Sequence, residues 1–224
     1  MLTAHGLCWL CEMPLRLTPW GICSCCTRAV SSRPSLCPQC GLPASNEQIP
    51  CGRCLRHEPP WQWLVAVNDY VAPLSRLVKS WKFHRRPELT NALARLLLLR
   101  LRQTPGRAKP DLVIAVPLWQ KRHWRRGYNQ ADELCRPLAR WLAIRYAREA
   151  IRRVRPTATQ HQLSAKRRKQ NLKNAFRLEI PVAGLHIALV DDVVTTGATV
   201  AELSRLLLQN GAASVQVWCL CRTL

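Results

Sequence analysis

Two adjacent carboxylates and a threonine-rich turn give this sequence its most specific chemical pattern. Asp191 and Asp192 follow an apolar run at 186–190 that is typical of a buried parallel strand. The turn and the start of the next predicted helix consist of Thr195, Thr196, Gly197, Ala198 and Thr199. Amides of such a turn and of a helix N-terminus can surround a phosphate, while paired carboxylates can accept hydrogen bonds from vicinal hydroxyls. The pattern favours a phosphorylated sugar, and a plain strand–turn–helix with an aspartate N-cap is the simpler alternative.

Eight cysteines near the N-terminus have the spacing of metal ligands. They form four Cys-x2-Cys pairs, namely Cys8 and Cys11, Cys23 and Cys26, Cys37 and Cys40, and Cys51 and Cys54. Each pair aims two thiolates at one point, and two pairs complete a tetrahedral zinc site with no position left for catalysis. The sequence therefore predicts one or two structural Zn²⁺ ions in a double zinc ribbon.

The spacing leaves several alternatives open for these cysteines. The first and third pairs can share a metal instead of the first and second. Cys25 can replace Cys23 or Cys26, although only the 23/26 choice preserves the two-residue spacing. Redox chemistry or unligated thiols are the remaining interpretation.

Beyond the cysteines the pattern of apolar residues becomes α/β. Strands are predicted at 63–70, 111–116, 186–190 and 214–220, and helices at 74–83, 88–102, 129–146 and 199–209. Pro137 should kink the third helix. Residues 152–174 are predicted to form a basic loop. Little helix is expected before residue 60. We expect a zinc-ribbon module at 1–57 and, at 61–224, an α/β domain with a parallel sheet flanked by helices.

The charge of the chain is strongly positive. Lys and Arg number 34 against 13 Asp and Glu, which gives a net charge of +21. Such a surface attracts polyanions, namely phosphorylated ligands, nucleic acid or acidic membranes, and a solvated basic face is the plain alternative. No signal-peptide pattern and no apolar run near the roughly 20 residues of a membrane span are visible, which predicts a soluble, cytoplasmic protein without structural disulfides.

The segment 188–199 resembles the 5-phosphoribosyl-1-pyrophosphate signature of type I phosphoribosyltransferases. The resemblance implies that fold, with Asp191 and Asp192 as the catalytic pair on the ribose hydroxyls and 195–199 as the 5′-phosphate loop. It also implies Mg²⁺ bridging the pyrophosphate and ribose oxygens.

The same resemblance gives roles to two basic segments. Lys121, Arg122, Arg125 and Arg126 stand where these enzymes hold the pyrophosphate, and a solvated basic turn is the alternative. Gln160, Arg168 and Asn171 stand where these enzymes have a flexible loop that closes over the site. A mobile linker with a helix explains that second segment nearly as well.

Together the cysteine pairs, the Arg-Gly-Tyr-Asn-Gln segment at 126–130, the basic loop and the Val-Asp-Asp-Val-Val-Thr-Thr-Gly stretch resemble the ComF family. The likeness covers nearly the whole chain and includes enterobacterial DNA-utilisation proteins. It implies a link to natural competence and to the DNA-uptake machinery.

Two functional hypotheses follow. The first is a phosphoribosyltransferase whose acceptor the sequence does not identify. The second is a single-stranded DNA-binding protein that keeps a non-catalytic ribose-phosphate site. Exposed tryptophans would stack on bases in the second case, and the candidates are Trp61, Trp63, Trp119 and Trp124, whereas Trp81 and Trp141 are expected in the core.

Overall fold

A computed structural model describes residues 6–32, 34–83, 86–104, 108–118, 128–154 and 175–223. The helices are α1 (Ser24–Ser31), α2 (Gly52–Arg56), α3 (Leu74–Phe83), α4 (Leu89–Arg102), α5 (Gln130–Leu142) and α6 (Ala198–Gln209), with a short 3-10 helix at Thr18–Trp20. The strands are β1 (Trp63–Asp69), β2 (Leu112–Ala115), β3 (Arg145–Ala147), β4 (Ile151–Arg153), β5 (Phe176–Leu178), β6 (His186–Val194) and β7 (Ser214–Arg222).

Five strands form one parallel sheet in the order β1-β7-β6-β2-β3. The four predicted strands all belong to this sheet, and every residue of β7 is buried, as expected for a sheet covered on both faces. The chain moves to one side from β2 to β3 and to the other side from β6 to β7. Its direction of winding therefore reverses between β2 and β6, where open α/β sheets bind their ligands.

Helices cover both faces of the sheet and enclose two hydrophobic cores. On one face α3, α4 and α5 pack against the strands, with Leu93 and Leu97 of α4 fully buried. On the other face α6 packs with the antiparallel β4–β5 pair, and Leu203 and Leu207 of α6 are fully buried. The four-residue spacing of these leucines places each pair on one side of its helix. The predicted parallel sheet flanked by helices is confirmed.

The cysteine-rich segment packs on the first of these cores. Ile22 and Val30 are fully buried within it. Asn68 of β1 donates from Nδ2 to the carbonyl oxygens of Val30 and Ser32 at 2.7 and 2.9 Å. The N-terminal segment is thereby joined to the sheet by both apolar burial and hydrogen bonds.

The segment before residue 60 contains little α-helix, as expected. Its two helices, α1 and α2, are eight and five residues long and begin directly after Cys23 and Cys51. The Cys23 sulfur accepts the N–H of Cys26 and so caps α1. The residues usually found at this N-cap position are Ser, Thr, Asp and Asn.

The predicted helix at 129–146 ends early. Helix α5 stops at Leu142 because Ala143 adopts a left-handed conformation with φ 49°. The following residues form β3, which pairs with β2. Pro137 lies inside α5 and does not end it.

Strand β6 is longer than predicted. It continues through Asp191 and Asp192 to Val194 because β7 still pairs with it, with Val194 opposite Arg222. The two aspartates thus lie inside the strand near its carboxyl end and do not follow it. In the described part of the chain, no helix has both the length and the apolar character needed to cross a membrane.

Candidate functional site

The paired aspartates are fixed by short contacts at the carboxyl end of β6. The Asp191 carboxylate accepts the backbone N–H of Asp192 at 2.8 Å. Asp192 Oδ2 lies 2.7 Å from the ammonium nitrogen of Lys82, which projects from the last turn of α3. Both side chains of this ion pair are largely buried. Lys82 was not identified from the sequence, because it lies 109 positions from Asp191 and its pattern is that of an ordinary amphipathic helix.

The environment keeps the Asp191 carboxyl partly protonated near neutral pH. Burial and the neighbouring Asp192 carboxylate raise the pKa of Asp191 to about 7, against the lowering effect of Lys82. One carboxyl of the pair therefore changes charge near pH 7, which is a frequent property of functional sites.

The turn after β6 exposes backbone donors. Thr195 and Thr196 are exposed, and Gly197 has a φ of +77°, a left-handed conformation that favours glycine. Thr196 Oγ1 accepts a long bond of 3.4 Å from the N–H of Ala198. Among the described residues, no acceptor bonds the amides of Thr196 and Gly197. The turn thus presents N–H groups beside the positive end of α6.

Two buried side chains, those of Arg222 and Trp61, contact this turn. Arg222 Nη1 donates to the carbonyl oxygen of Val194 at 3.0 Å and also to that of Thr195. The ring of Trp61 lies against Gly197, where an added Cβ would come within 3.2 Å of its Cη2 atom. Trp61 is 7% exposed, so the expectation that it stacks on bases is wrong.

The basic segments begin and end at this edge of the sheet. Val116 donates its N–H to Val190 of β6 at 2.9 Å, and Asn129 Nδ2 donates to Val116 at 3.1 Å. The candidate pyrophosphate ligands between them, Lys121, Arg122, Arg125 and Arg126, lie outside the described residues, as do Trp119 and Trp124. The same holds for Gln160, Arg168 and Asn171, whose segment is bounded by the 2.8 Å bond from Val154 to Ala175.

A cavity of about 250 Å³ opens beside the end of β2. Its charged wall contains Asp132, Arg148 and Arg152. Asp132 is buried and pairs with Arg148 at 3.3 Å and Arg136 at 3.0 Å. The carboxyl end of β2, which pairs with β6, therefore has room for a further group.

The eight paired cysteines form two separate clusters. Cys8, Cys11, Cys23 and Cys26 make up the first, and Cys37, Cys40, Cys51 and Cys54 the second, with sulfurs within 4.8 Å of one another in each. Two neighbouring sulfur pairs are 3.7 Å apart, Cys11–Cys23 and Cys40–Cys51. Tetrahedral zinc with Zn–S bonds of about 2.3 Å requires roughly 3.8 Å between sulfurs. Both clusters fit a double zinc ribbon.

The clusters settle two of the alternatives left by spacing. Successive pairs share a cluster, so the crossed pairing of the first and third pairs is wrong. Cys25 is exposed on α1 and belongs to neither cluster. Although burial raises it, a backbone N–H from Cys23 helps to lower the pKa of Cys8 to about 6, whereas burial and the neighbouring thiols raise the pKa of Cys26 in the same cluster.

Comparisons with known proteins agree with this architecture. The family described as "Phosphoribosyl transferase domain" matches residues 82–224. The DNA utilization protein YhgH of Salmonella typhimurium is 65% identical over 227 residues and is covered completely, as is this chain. Competence protein F of Haemophilus influenzae is 43% identical over 96% of each chain. Competence protein ComFC of Bacillus subtilis is 26% identical over 89% of this chain and 83% of its own.

The matched region begins at Lys82 and contains the paired aspartates and the turn at 195–199, while the relatives extend over both cysteine clusters. This chain therefore belongs to the phosphoribosyl transferase domain family and, within it, to the ComF group of DNA-utilisation and competence proteins.

Proposed function

We propose that this protein binds 5-phosphoribosyl-1-pyrophosphate together with Mg²⁺ at the carboxyl end of β6. One observation carries the proposal: paired carboxylates and a turn with open amides lie side by side where the winding of the sheet reverses. Open α/β sheets bind ligands at this position, and helix N-termini bind phosphate.

The proposed roles follow the chemistry of each group. Asp191 and Asp192 accept hydrogen bonds from the ribose hydroxyls, and the turn at 195–199 donates to the 5′-phosphate. Lys121, Arg122, Arg125 and Arg126 neutralise the pyrophosphate, since arginine suits bidentate phosphate contacts. Gln160, Arg168 and Asn171 belong to a segment that closes over the bound ligand and excludes water.

The metals have separate roles in this proposal. Mg²⁺ prefers oxygen ligands, so the aspartates and the phosphate groups would hold it, and it would neutralise negative charge there. Zn²⁺ in each four-cysteine cluster is structural, because the protein supplies all four ligands.

Transfer chemistry is the activity that such a site supports. An acceptor nucleophile would attack C1 of the ribose and release pyrophosphate, with the basic segment stabilising the leaving group. The cavity beside β2, walled by Asp132, Arg148 and Arg152, is where we place the acceptor. The names of the relatives support a role in DNA utilisation, so nucleic acid or its breakdown products are the first acceptors to screen for pyrophosphate release.

Isothermal titration calorimetry tests the binding proposal. Wild type is titrated with 5-phosphoribosyl-1-pyrophosphate and Mg²⁺, and Asp191→Asn and Asp192→Asn are each expected to lose about tenfold or more in affinity because hydrogen bonds to charged groups are lost. Asp111→Asn is the matched control, since Asp111 accepts the His186 N–H at the opposite edge of the same sheet. Absence of binding by wild type would contradict the proposal, as would equal affinities in all four proteins.

A second candidate function, single-stranded DNA binding, is favoured by a surface of the first zinc ribbon. Arg86 lies 5.2 Å from the ring of Trp9, and Arg95 lies 4.0 Å from the ring of Trp20. Both rings are exposed, and stacking on aromatic rings with arginine nearby is a general mode of single-strand binding. Neither tryptophan was a candidate from the sequence, because Trp9 lies inside the first cysteine pair and Trp20 between the first and second pairs, with no basic residue next to either.

Fluorescence anisotropy with a labelled thymidine oligonucleotide tests this second function. Trp20→Ala is expected to weaken binding by about 1–3 kcal/mol, the usual contribution of one stacked base. Leu55→Ala is the control, since Leu55 is an apolar residue in α2 that is even more exposed than Trp20. Affinity that does not fall with salt, or equal losses in both variants, would contradict a backbone-and-stacking mode.

A further inference from the structure

The second cysteine cluster is connected to the turn at 195–199 by an unbroken set of hydrogen bonds. Three successive carbonyl oxygens of its first knuckle each accept a bond from the α/β domain. Pro38 accepts the N–H of Leu64 at 2.9 Å. Gln39 accepts the indole N–H of Trp61 at 2.6 Å, and Cys40 accepts Nε of Arg222 at 2.8 Å.

Two of these three donors also contact the turn directly. Arg222 Nη1 bonds the carbonyl oxygens of Val194 and Thr195, where β6 leads into the turn. The Trp61 ring lies against Gly197, the N-cap residue directly before α6. Each side chain therefore has one end on the cysteine knuckle and the other on the turn.

The α/β domain packs closely on the Cys37–Cys40 knuckle, so a change in the conformation of the knuckle would displace the side chains that contact it. Gly41 follows Cys40 with a φ of +69°, and an added Cβ would come within 2.4 Å of the Leu64 side chain and 3.6 Å of Arg222. Arg222 and Trp61 are 5% and 7% exposed, so water has little access to replace their bonds. Buried polar groups that lose their partners are costly, which makes the two ends interdependent.

The first cluster has no comparable connection. Gly21, beside it, packs on Ala92 of α4, where an added Cβ would come within 2.9 Å. Within the described ranges, no hydrogen bond joins its knuckles to residues 194–198. The two clusters thus differ in what they support.

We infer that Arg222 and Trp61 are positioning residues which make the order of the phosphate-binding turn depend on zinc in the second cluster and not on zinc in the first. Zinc fixes the conformation of the Cys37–Cys40 knuckle, and the knuckle fixes both side chains. Their other ends hold the carbonyl groups and Gly197 so that the amides of the turn face the ligand. The effect on ligand affinity rests on the proposed function, whereas the effect on the turn itself does not.

Hydrogen–deuterium exchange of the zinc-loaded full chain tests the inference without any ligand. Cys51→Ser disrupts the second cluster, and Cys11→Ser is the matched change in the first. Trp61→Phe keeps both clusters but removes the indole donor to Gln39. Exchange of the amides of Ala201 and Thr223, which donate to the carbonyl oxygens of Gly197 and Val194 on either side of the turn, is expected to rise about fivefold or more in Cys51→Ser and Trp61→Phe, the effect of losing one hydrogen bond. Cys11→Ser should leave that exchange unchanged.

Peptides from β2 serve as the internal standard, because global destabilisation would raise their exchange as well. The inference is overturned if Cys11→Ser and Cys51→Ser raise the exchange of the Ala201 and Thr223 amides equally. It is also overturned if Trp61→Phe, with both zinc ions retained, matches wild type.

Reciprocity between the sites gives a second readout. In the Cys11→Ser background only the second cluster holds zinc, so a chromogenic chelator reports its release alone. Ribose 5-phosphate should slow this release, and should not slow it when Trp61→Phe is added. A protein that shows the exchange differences but binds no ribose 5-phosphate would overturn the proposed function and leave the coupling intact. Binding of ribose 5-phosphate without the exchange differences would overturn the coupling and leave the proposed function intact.

Discussion

At the scale of single residues, the ion pair between Lys82 and Asp192 connects a helix to the proposed ligand site. The two groups lie 2.7 Å apart with side chains 12% and 15% exposed. A pair so little exposed to water is costly to break from one side, because the remaining charge stays buried without a partner. Lys82 therefore holds Asp192 in place and compensates its charge before any ligand arrives.

Removing the lysine charge should destabilise the fold, and removing both charges should not. Lys82→Met is expected to lower the free energy of unfolding by about 3 kcal/mol. The double variant Lys82→Met/Asp192→Asn should recover more than half of that loss, because no unpaired charge remains. Urea unfolding of the four proteins in the cycle measures both values. Simple additivity of the two single changes would contradict a buried pair.

The raised pKa of Asp191 predicts how stability depends on pH. Burial and Asp192 raise this pKa to about 7, whereas a free aspartate in the unfolded chain has a pKa of about 3.9. The folded state binds the proton more tightly, so this contribution is complete below about pH 4 and is lost as pH rises to about 7. Unfolding free energies between these values should fall less steeply in Asp191→Asn than in wild type. Identical slopes would show that Asp191 does not have a raised pKa.

The carboxylate pair and the threonine–glycine turn were identifiable from the sequence because their chemistry is local. Lys82 and Arg222 were not, since each reaches the site through tertiary packing from a distant element. An arginine in the last strand gives no signal of burial, as Arg222 binds only backbone carbonyl groups. The burial of Trp61 was not predicted either, because it also results from tertiary packing.

At the scale of elements, the turn from β6 into α6 depends on the conformation of Gly197. Gly197→Ala forces a side chain into a left-handed conformation and towards Trp61. It should cost about 1–2 kcal/mol in stability and also weaken ribose-phosphate binding.

Gly184→Ala is the control for that change, because Gly184 has a φ of +73° and nothing within 4 Å of an added Cβ. It should reduce stability similarly and leave the affinity for ribose 5-phosphate unchanged. Thermal unfolding and calorimetry measure the two effects. Equal loss of affinity in both variants would mean that the turn has no special role.

Element types followed from the sequence where periodicity is strong, as in α4, α6, β2 and β7. The predicted boundaries of elements were wrong where tertiary structure determines where an element ends. β7 extends β6 past the two aspartates by pairing with it, and β2 recruits residues 145–147 from the predicted end of a helix. Helix α1 was missed because a cysteine sulfur caps it.

At the scale of the whole molecule, a double zinc ribbon is packed against an α/β domain with a strongly basic composition. Spacing predicted the eight cysteine ligands but left open which pairs share a metal, and in the folded chain successive pairs form each cluster. The hydrogen bonds that link the second ribbon, through Trp61 and Arg222, to the region of the turn at 195–199 could not be predicted from the sequence. They depend on carbonyl oxygens at 38–40 that meet β1 and β7 only in the folded chain.

Metal content tests the assignment of the cysteines. The purified protein should contain two zinc ions per chain, one for each cluster. Cys11→Ser should contain one, and Cys25→Ser, which changes an exposed cysteine outside both clusters, should retain two. Elemental analysis of the three proteins gives the count. Zinc loss in Cys25→Ser, or none in Cys11→Ser, would contradict the assignment.

A crystal structure of the protein with 5-phosphoribosyl-1-pyrophosphate and Mg²⁺ is the decisive test of ligand binding at the carboxyl end of β6. We expect the 5′-phosphate within about 2.7–3.2 Å of amides in the turn at 195–199, and the ribose hydroxyls on Asp191 and Asp192. A ligand bound elsewhere, with that turn and the Lys82–Asp192 pair unchanged, would contradict it.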